Sequence, residues 1–91
     1  MKKLYKTGEL AKIFNRSRST IIFWRQNGFL DDPVTGKEIY SKIDTTNKYR
    51  YYSWDDIVKI AKNLTQKGII STYEYNDILN HYYIEKNKKK G

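Results

Sequence analysis

The chain has no cysteine, a single histidine and no apolar run long enough to cross a membrane. Without cysteine it can form neither a disulfide nor a thiolate-ligated metal centre, which fits a cytoplasmic protein. His81 has no second histidine or thiol to share a metal with, so a transition-metal site lacks ligands. No stretch reaches the ~18 apolar residues that a transmembrane helix takes. The opening Met1-Lys2-Lys3-Leu4-Tyr5 lacks the apolar segment of a secretory signal. There is no glycine-rich phosphate loop and no Ser/His/Asp set. Four arginines and one histidine also fall short of the cluster that would activate a recombinase-type tyrosine. The expectation is a binding protein without cofactor or metal, and not an enzyme.

Acid is scarce where base is concentrated. Net charge is +8 over 91 residues. Residues 1–30 carry seven Lys or Arg against one Glu, residues 31–53 are balanced, residues 54–85 are net −2, and the last six add +4. A polyanion binder needs such segregation, because each phosphate neutralised releases counterions. The bland alternative is codon bias. Lys, Asn, Ile and Tyr supply 41 residues, all with A/T-rich codons, as a low-GC host or mobile element would produce.

The length suits one domain with a modest core. Lys2 to Lys6 reads as an extended lead-in. Thr7 suits a helix N-cap, with Glu9 in the first turn and Leu10, Ala11 and Phe14 as a buried stripe. Asn15-Arg16 makes a turn. Ser17 caps a second helix, with Ile21 and Trp24 inward, Arg18, Ser19, Ile22 and Arg25 outward, and Gly28 as the left-handed stop. Phe29 to Tyr52 reads as short strands and turns, with Lys48 to Tyr52 the returning strand and Ser41 to Asn47 mobile. Ser53 and Asp56 form a capping box for a third helix, with Trp54, Ile57, Val58, Ala61 and Leu64 as its stripe and Gly68 as its end. Ser71 and Glu74 form a second box. A fourth helix follows with Tyr75, Ile78, Leu79 and Tyr82 on one face, fading near Glu85. This gives a domain over residues 1–85 and a basic, disordered tail over residues 86–91.

Ala11, Asn15 and Ile21 are spaced four and then six residues apart. A helix-turn-helix needs a small residue where its helices cross, then one that tolerates a left-handed backbone, then an apolar one between the helices. The second helix of such a unit lies in the DNA major groove.

Ser17, Thr20, Ile21, Trp24, Gly28, Phe29 and Leu30 follow the S-x-x-T-(L/I)-x-x-W-x-x-x-G-(L/F)-L signature. With the first-helix pattern T-G-E-L-A-K-I-F and the Tyr49-Arg50-Tyr51-Tyr52-Ser53 strand, the chain resembles the MerR-type winged helix-turn-helix and its excisionase-like relatives over roughly Tyr5 to Tyr82. The resemblance implies a mainly α winged helix-turn-helix, about four helices plus a β-hairpin wing. It implies double-stranded DNA as the partner. The candidate DNA-binding residues are Arg16, Ser17, Arg18, Ser19, Ile22 and Arg25 on or beside the second helix, and Tyr49 and Arg50 on the wing.

Arginine can bridge O6 and N7 of guanine, and serine can reach a phosphate or a base edge. Ile22 stands where the family often has arginine, and can offer only apolar contact to a thymine methyl or the wing. Tyr49 and Arg50 can both donate to phosphate. Alternation along the strand puts Arg50 on the same side as Tyr52, which the family analogy buries. For each cation the competing reading is a solvated surface charge, and for Ser17 a cap alone.

Several roles compete. One is a small transcriptional regulator in the bacterial nucleoid. Another is an excisionase-like or partition accessory protein of a phage, plasmid or integrative element, and a third is a fragment of a larger protein. A different class altogether is a protein-interaction adaptor that keeps the winged fold without DNA; four arginines on one face would argue against it. The long dimerisation helix and effector domain of typical MerR regulators have no counterpart in this sequence. The expectation is therefore a monomer that self-associates on DNA repeats, through Tyr75, Tyr82 and Tyr83 or the wing.

Overall fold

A computed structural model describes residues 3–88. In chain order these residues form β1 (Tyr5–Lys6), α1 (Thr7–Ile13), α2 (Arg18–Gln26), β2 (Lys42–Ile43), β3 (Arg50–Tyr52), α3 (Trp54–Gln66) and α4 (Thr72–Lys88). The protein is thus a small α-rich domain with four helices and a three-stranded antiparallel sheet among the described residues, an arrangement compatible with a helix-turn-helix plus a wing. The sheet order is β1-β3-β2. Tyr5 faces Tyr52, and Ile43 faces Arg50 across the hairpin.

One core joins these elements. Leu10, Ala11 and Phe14 of the α1 segment, Ile21 and Trp24 of α2, Tyr52 of β3, Ile57, Ile60, Ala61 and Leu64 of α3, and Ile78 of α4 are all buried. Phe14 and Trp24 meet edge-on at 5.8 Å between centroids. Asn15 makes the α1–α2 turn at φ 54°, a left-handed value that asparagine tolerates better than most residues. The turn closes through Arg16 N–H, which donates to the Ala11 carbonyl at 2.9 Å. Ser17 caps α2 by accepting from Thr20 N–H at 3.2 Å. Gly28, at φ 75°, ends that helix. The buried amide of Asn63 donates to the Asp31 carbonyl at 3.1 Å and ties α3 to the segment after α2.

Three features of the helix ends differ from the sequence reading, and one agrees with it. Lys6, not Thr7, precedes α1: β1 runs straight into the helix, Glu9 accepts from Lys6 N–H at 3.1 Å, and the Thr7 hydroxyl accepts from Arg25 instead. The Ser53–Asp56 box forms in both directions. The second box forms in one only, because Ser71 accepts from Glu74 N–H while the Glu74 carboxylate turns to Arg16. Finally, α4 continues to Lys88, past the end expected near Glu85. Lysine is a good helix former and cations favour a helix C-terminus, so nothing local stops it. The rest of the expected tail, Lys89 to Gly91, lies outside the described residues, as do Met1 and Lys2.

The segment expected to be mobile, Ser41 to Asn47, is instead strand and bonded turn. Two loops share one wiring. Asp32 Oδ1 accepts from Val34 and Thr35 N–H, Gly36 N–H returns to the Asp32 carbonyl, and Asp32 N–H donates to the Lys37 carbonyl. Asp44 repeats this with Thr46, Asn47, Lys48 and Tyr49. The fifth residue is left-handed in both, Gly36 at φ 73° and Lys48 at φ 63°.

Candidate nucleic-acid interface

The outward side of α2 begins at its capped N-terminus. Ser17, Arg18 and Ser19 are exposed, and Arg18 makes no ion pair among the described residues. Ile22 follows Arg18 one turn later, 37% exposed, and Phe23 beside it is 57% exposed. A helix that buries Ile21 and Trp24 turns these positions to the other side, since residues four apart share a face. The outward surface of α2, with its Ser17 cap, is therefore one cation, two serine hydroxyls, two apolar side chains and the amide of Gln26. Sequence reasoning missed Phe23; its place between Ile22 and Trp24 resembles a wide core stripe.

The other arginines do not join Arg18 in solvent. Arg16 is half-buried. It donates to the Phe14 carbonyl at 2.7 Å and pairs with both carboxylate oxygens of Glu74 at 3.2 and 3.3 Å. Its guanidinium also lies 5.8 Å from the centre of the Trp24 ring. Arg16, expected to be a phosphate contact or a surface charge, thus has internal partners and ties the helix turn to α4.

Arg25, expected outward, turns inward as well. Its Nη2 donates to Thr7 Oγ1 at 3.1 Å and to the Tyr52 hydroxyl at 3.5 Å. Its Nε stands 3.5 Å from Glu38 Oε2, the oxygen that Arg50 Nε also contacts. Arg25 Nε, Arg50 Nε and Glu38 Oε2 are all buried, and neither N–H is aligned for a hydrogen bond, so the contact is Coulombic. Arg50 Nη1 donates to the Lys48 carbonyl at 3.0 Å. Glu38 thereby resolves the conflict that alternation posed: Tyr52 is fully buried, and Arg50 beside it keeps its charge by sharing a carboxylate. Burial pushes the Tyr52 phenol above its ordinary pKa range, and Arg25 works against the shift.

Tyr49 is 52% exposed at the end of the hairpin loop, with Lys48 and Lys42 also exposed. Tyr49 is the residue expected to contact DNA from the wing, and Lys42 and Lys48 are cations the expectation left out. The four arginines thus do not form one open basic face. The structure brings Arg25 and Arg50 together, seats Arg16 elsewhere, and leaves Arg18 open. On α4, Tyr82 donates to Asp55 at 2.8 Å and packs on Trp54, and Tyr75 packs against the core. Of the three tyrosines expected to meet a second copy, only Tyr83 remains exposed. His81 is exposed and bonds through Nδ1 to the Asp77 carbonyl at 2.9 Å. Among the described residues no group of three or more His, Cys, Asp or Glu could hold a metal, and no helix is long and apolar enough to cross a membrane.

Compared with known protein families, curated proteins and solved structures, the chain matches none.

Proposed function

We propose that this protein binds double-stranded DNA sequence-specifically, as a small winged helix-turn-helix of MerR type acting in transcriptional regulation and not as an enzyme. The observation that carries this reading is α2 itself. Its capped N-terminal half presents Ser17, Arg18, Ser19 and Ile22 to solvent, with no internal partner for the Arg18 charge among the described residues. Arginine there can take O6 and N7 of a guanine, and the serines can take phosphate or a base edge. The β2–β3 hairpin, with exposed Lys42, Lys48 and Tyr49, serves as the wing and adds backbone contacts. An excisionase-like or partition accessory role uses the same surface and differs only in the site bound.

A mobility-shift series on a duplex tests the reading. Binding is expected to weaken steeply between ~50 and ~200 mM salt, because phosphate contacts release counterions. No binding at low salt sinks it. One module covers roughly 600–1,000 Å² of protein surface, little for selecting a genomic site. The chain is therefore proposed to gain specificity by cooperative binding to repeats. Titration of a two-site duplex checks this, and equal, independent affinities refute it.

A second reading has its own observation. Ile22 and Phe23 expose apolar surface side by side, and three of the four arginines are paired internally. A protein-interaction adaptor would use such a patch, since aromatics are enriched at interfaces. Binding to a protein partner that persists at high salt, with no DNA affinity at low salt, would favour it.

A further inference from the structure

We infer that Arg25, Glu38 and Arg50 form a seat for one phosphate group, in which Glu38 is the resident anion. This deepens the DNA reading of the same face and rests on it for the identity of the phosphate's carrier.

The charges do not balance. Two guanidiniums converge on one carboxylate oxygen, which leaves the cluster net positive by one. Arginine cannot relieve that imbalance by losing a proton. The side chains of Arg25, Glu38 and Arg50 are only 20%, 18% and 21% exposed, so water screens the excess charge incompletely. Neither guanidinium is saturated. Each has five N–H groups. Arg25 uses Nη2 toward Thr7 and Tyr52, and Arg50 uses Nη1 toward Lys48. Both Nε atoms are buried beside Glu38 Oε2. What remains is terminal N–H groups at a surface carrying one uncompensated positive charge.

The ligand chemistry follows. A tetrahedral oxyanion with a single charge neutralises the cluster, and its paired oxygens suit guanidinium N–H groups. A phosphodiester of the nucleic-acid backbone has that charge and shape; inorganic phosphate is the other source. The cluster joins the last turn of α2 to the first residue of β3, where the Ile43–Arg50 pair closes the hairpin loop. DNA lying along α2 and the hairpin would bring a backbone phosphate there. Glu38 sets the strength of the seat: it draws the two arginines together and cancels half of their charge.

The test uses the full chain, Glu38→Gln and Arg50→Gln. The Glu38→Gln change keeps the side-chain shape and raises the cluster to net +2, whereas Arg50→Gln leaves Arg25 and Glu38 to neutralise each other. Melting temperature is measured in inorganic phosphate against chloride at matched ionic strength. Phosphate is expected to stabilise the wild type, to stabilise Glu38→Gln more, and to give Arg50→Gln no advantage over chloride. With a duplex, Glu38→Gln should bind several-fold more tightly, with a salt slope steeper by about 0.9, one phosphate's worth. Arg50→Gln should bind more weakly with a shallower slope. Equal phosphate stabilisation of all three chains overturns the inference, as does a folded Glu38→Gln that binds duplex more weakly than wild type. Should Glu38→Gln fail to fold, Arg50→Gln against wild type decides it. Phosphate discrimination without duplex binding would leave the seat standing and remove the DNA reading. Duplex binding indifferent to both substitutions would do the reverse.

Discussion

Arg16→Ala should cost stability and leave DNA recognition intact, although the residue sits in the turn before the proposed reading helix. Its contributions can be worked from the geometry. The 2.7 Å bond to the Phe14 carbonyl adds about 1 kcal/mol. The pair with Glu74 has side chains 30% and 27% exposed, so solvent screening reduces it to roughly 0.5 kcal/mol. The guanidinium against the Trp24 ring adds about 0.5 kcal/mol, the lower end for a partly exposed cation–π contact. Together these come to about 2 kcal/mol, less whatever the shared guanidinium makes non-additive. In a domain of this size a loss of about 2 kcal/mol lowers Tm by roughly 8–16 °C. Thermal unfolding of Arg16→Ala, Glu74→Ala and the double variant measures it. Coupling between Arg16 and Glu74 predicts a double variant less destabilised than the two single changes added together. Below the transition, duplex affinity and its salt slope should match the wild type. A Tm drop of less than about 3 °C, against that predicted 4–8 °C per kcal/mol, would refute the reasoning, as would a loss of duplex affinity in the folded variant.

Arg18→Ala should show the opposite pattern: an unchanged Tm and a preference between cognate and unrelated duplex flattened by roughly 1–3 kcal/mol, checked by competition binding; equal proportional loss on both duplexes would mean it contacts only phosphate. Lys48→Gly should stabilise by about 0.5 kcal/mol, since a side chain at a left-handed φ costs ~1 kcal/mol and glycine returns about half of that in chain entropy. The matched change Gly36→Ala, at the equivalent point of the first loop where no atom lies within 4 Å of the added Cβ, should destabilise for purely conformational reasons; urea midpoints of both decide it. The Asp32 carboxylate is held below its ordinary pKa by Val34 N–H and then Thr35 N–H. A depressed folded pKa contributes stability that is present above the unfolded value of about 3.9 and is lost as pH falls through the folded one. Asp32→Asn should therefore remove part of the acid dependence below that pH and none near neutrality, as pH-resolved melting would show.

The parts of the fold legible in the sequence are those set by neighbours along the chain. The inward faces of α1, α2 and α3, the left-handed turn at Asn15, and the stops at Gly28 and Gly68 follow from periodicity and backbone freedom within a few residues. The long-range ion pairs were not legible. Glu74 lies 58 residues from Arg16, and charge alone does not pick a partner. Glu38 carries no local signal: it is one acid in a loop of mixed sign. Arg25 did carry one. It stands four residues after Ile21, which puts it beside the buried stripe of α2, where a cation needs a counter-ion. Arg50 shares a strand face with Tyr52 and carried the same warning. The ordered Asp44 loop was obscured because Lys48 occupies the position that Gly36 marks plainly in the first loop.

These pairings change what the charge of the chain means for binding. Net +6 over the first thirty residues suggests a broad cationic surface. Yet Arg16 is neutralised by Glu74 and Arg25 is held at Glu38, both acids outside that segment. The cations left beside the proposed interface are Arg18 on α2, Lys42 and Lys48 on the hairpin, and the single excess charge of the Arg25–Glu38–Arg50 cluster. If those meet about four phosphates, affinity should fall about 150-fold between ~50 and ~200 mM salt. Engagement of all eight net charges would give a fall of roughly 20,000-fold over the same range. The two values are far enough apart for one salt series to separate them. The smaller slope would place sequence recognition on few groups, Ser17, Arg18, Ser19 and Ile22, with the hairpin supplying position. The larger would mean that lysines remote from α2 grip the duplex, and that DNA wraps further around the domain than this face alone allows.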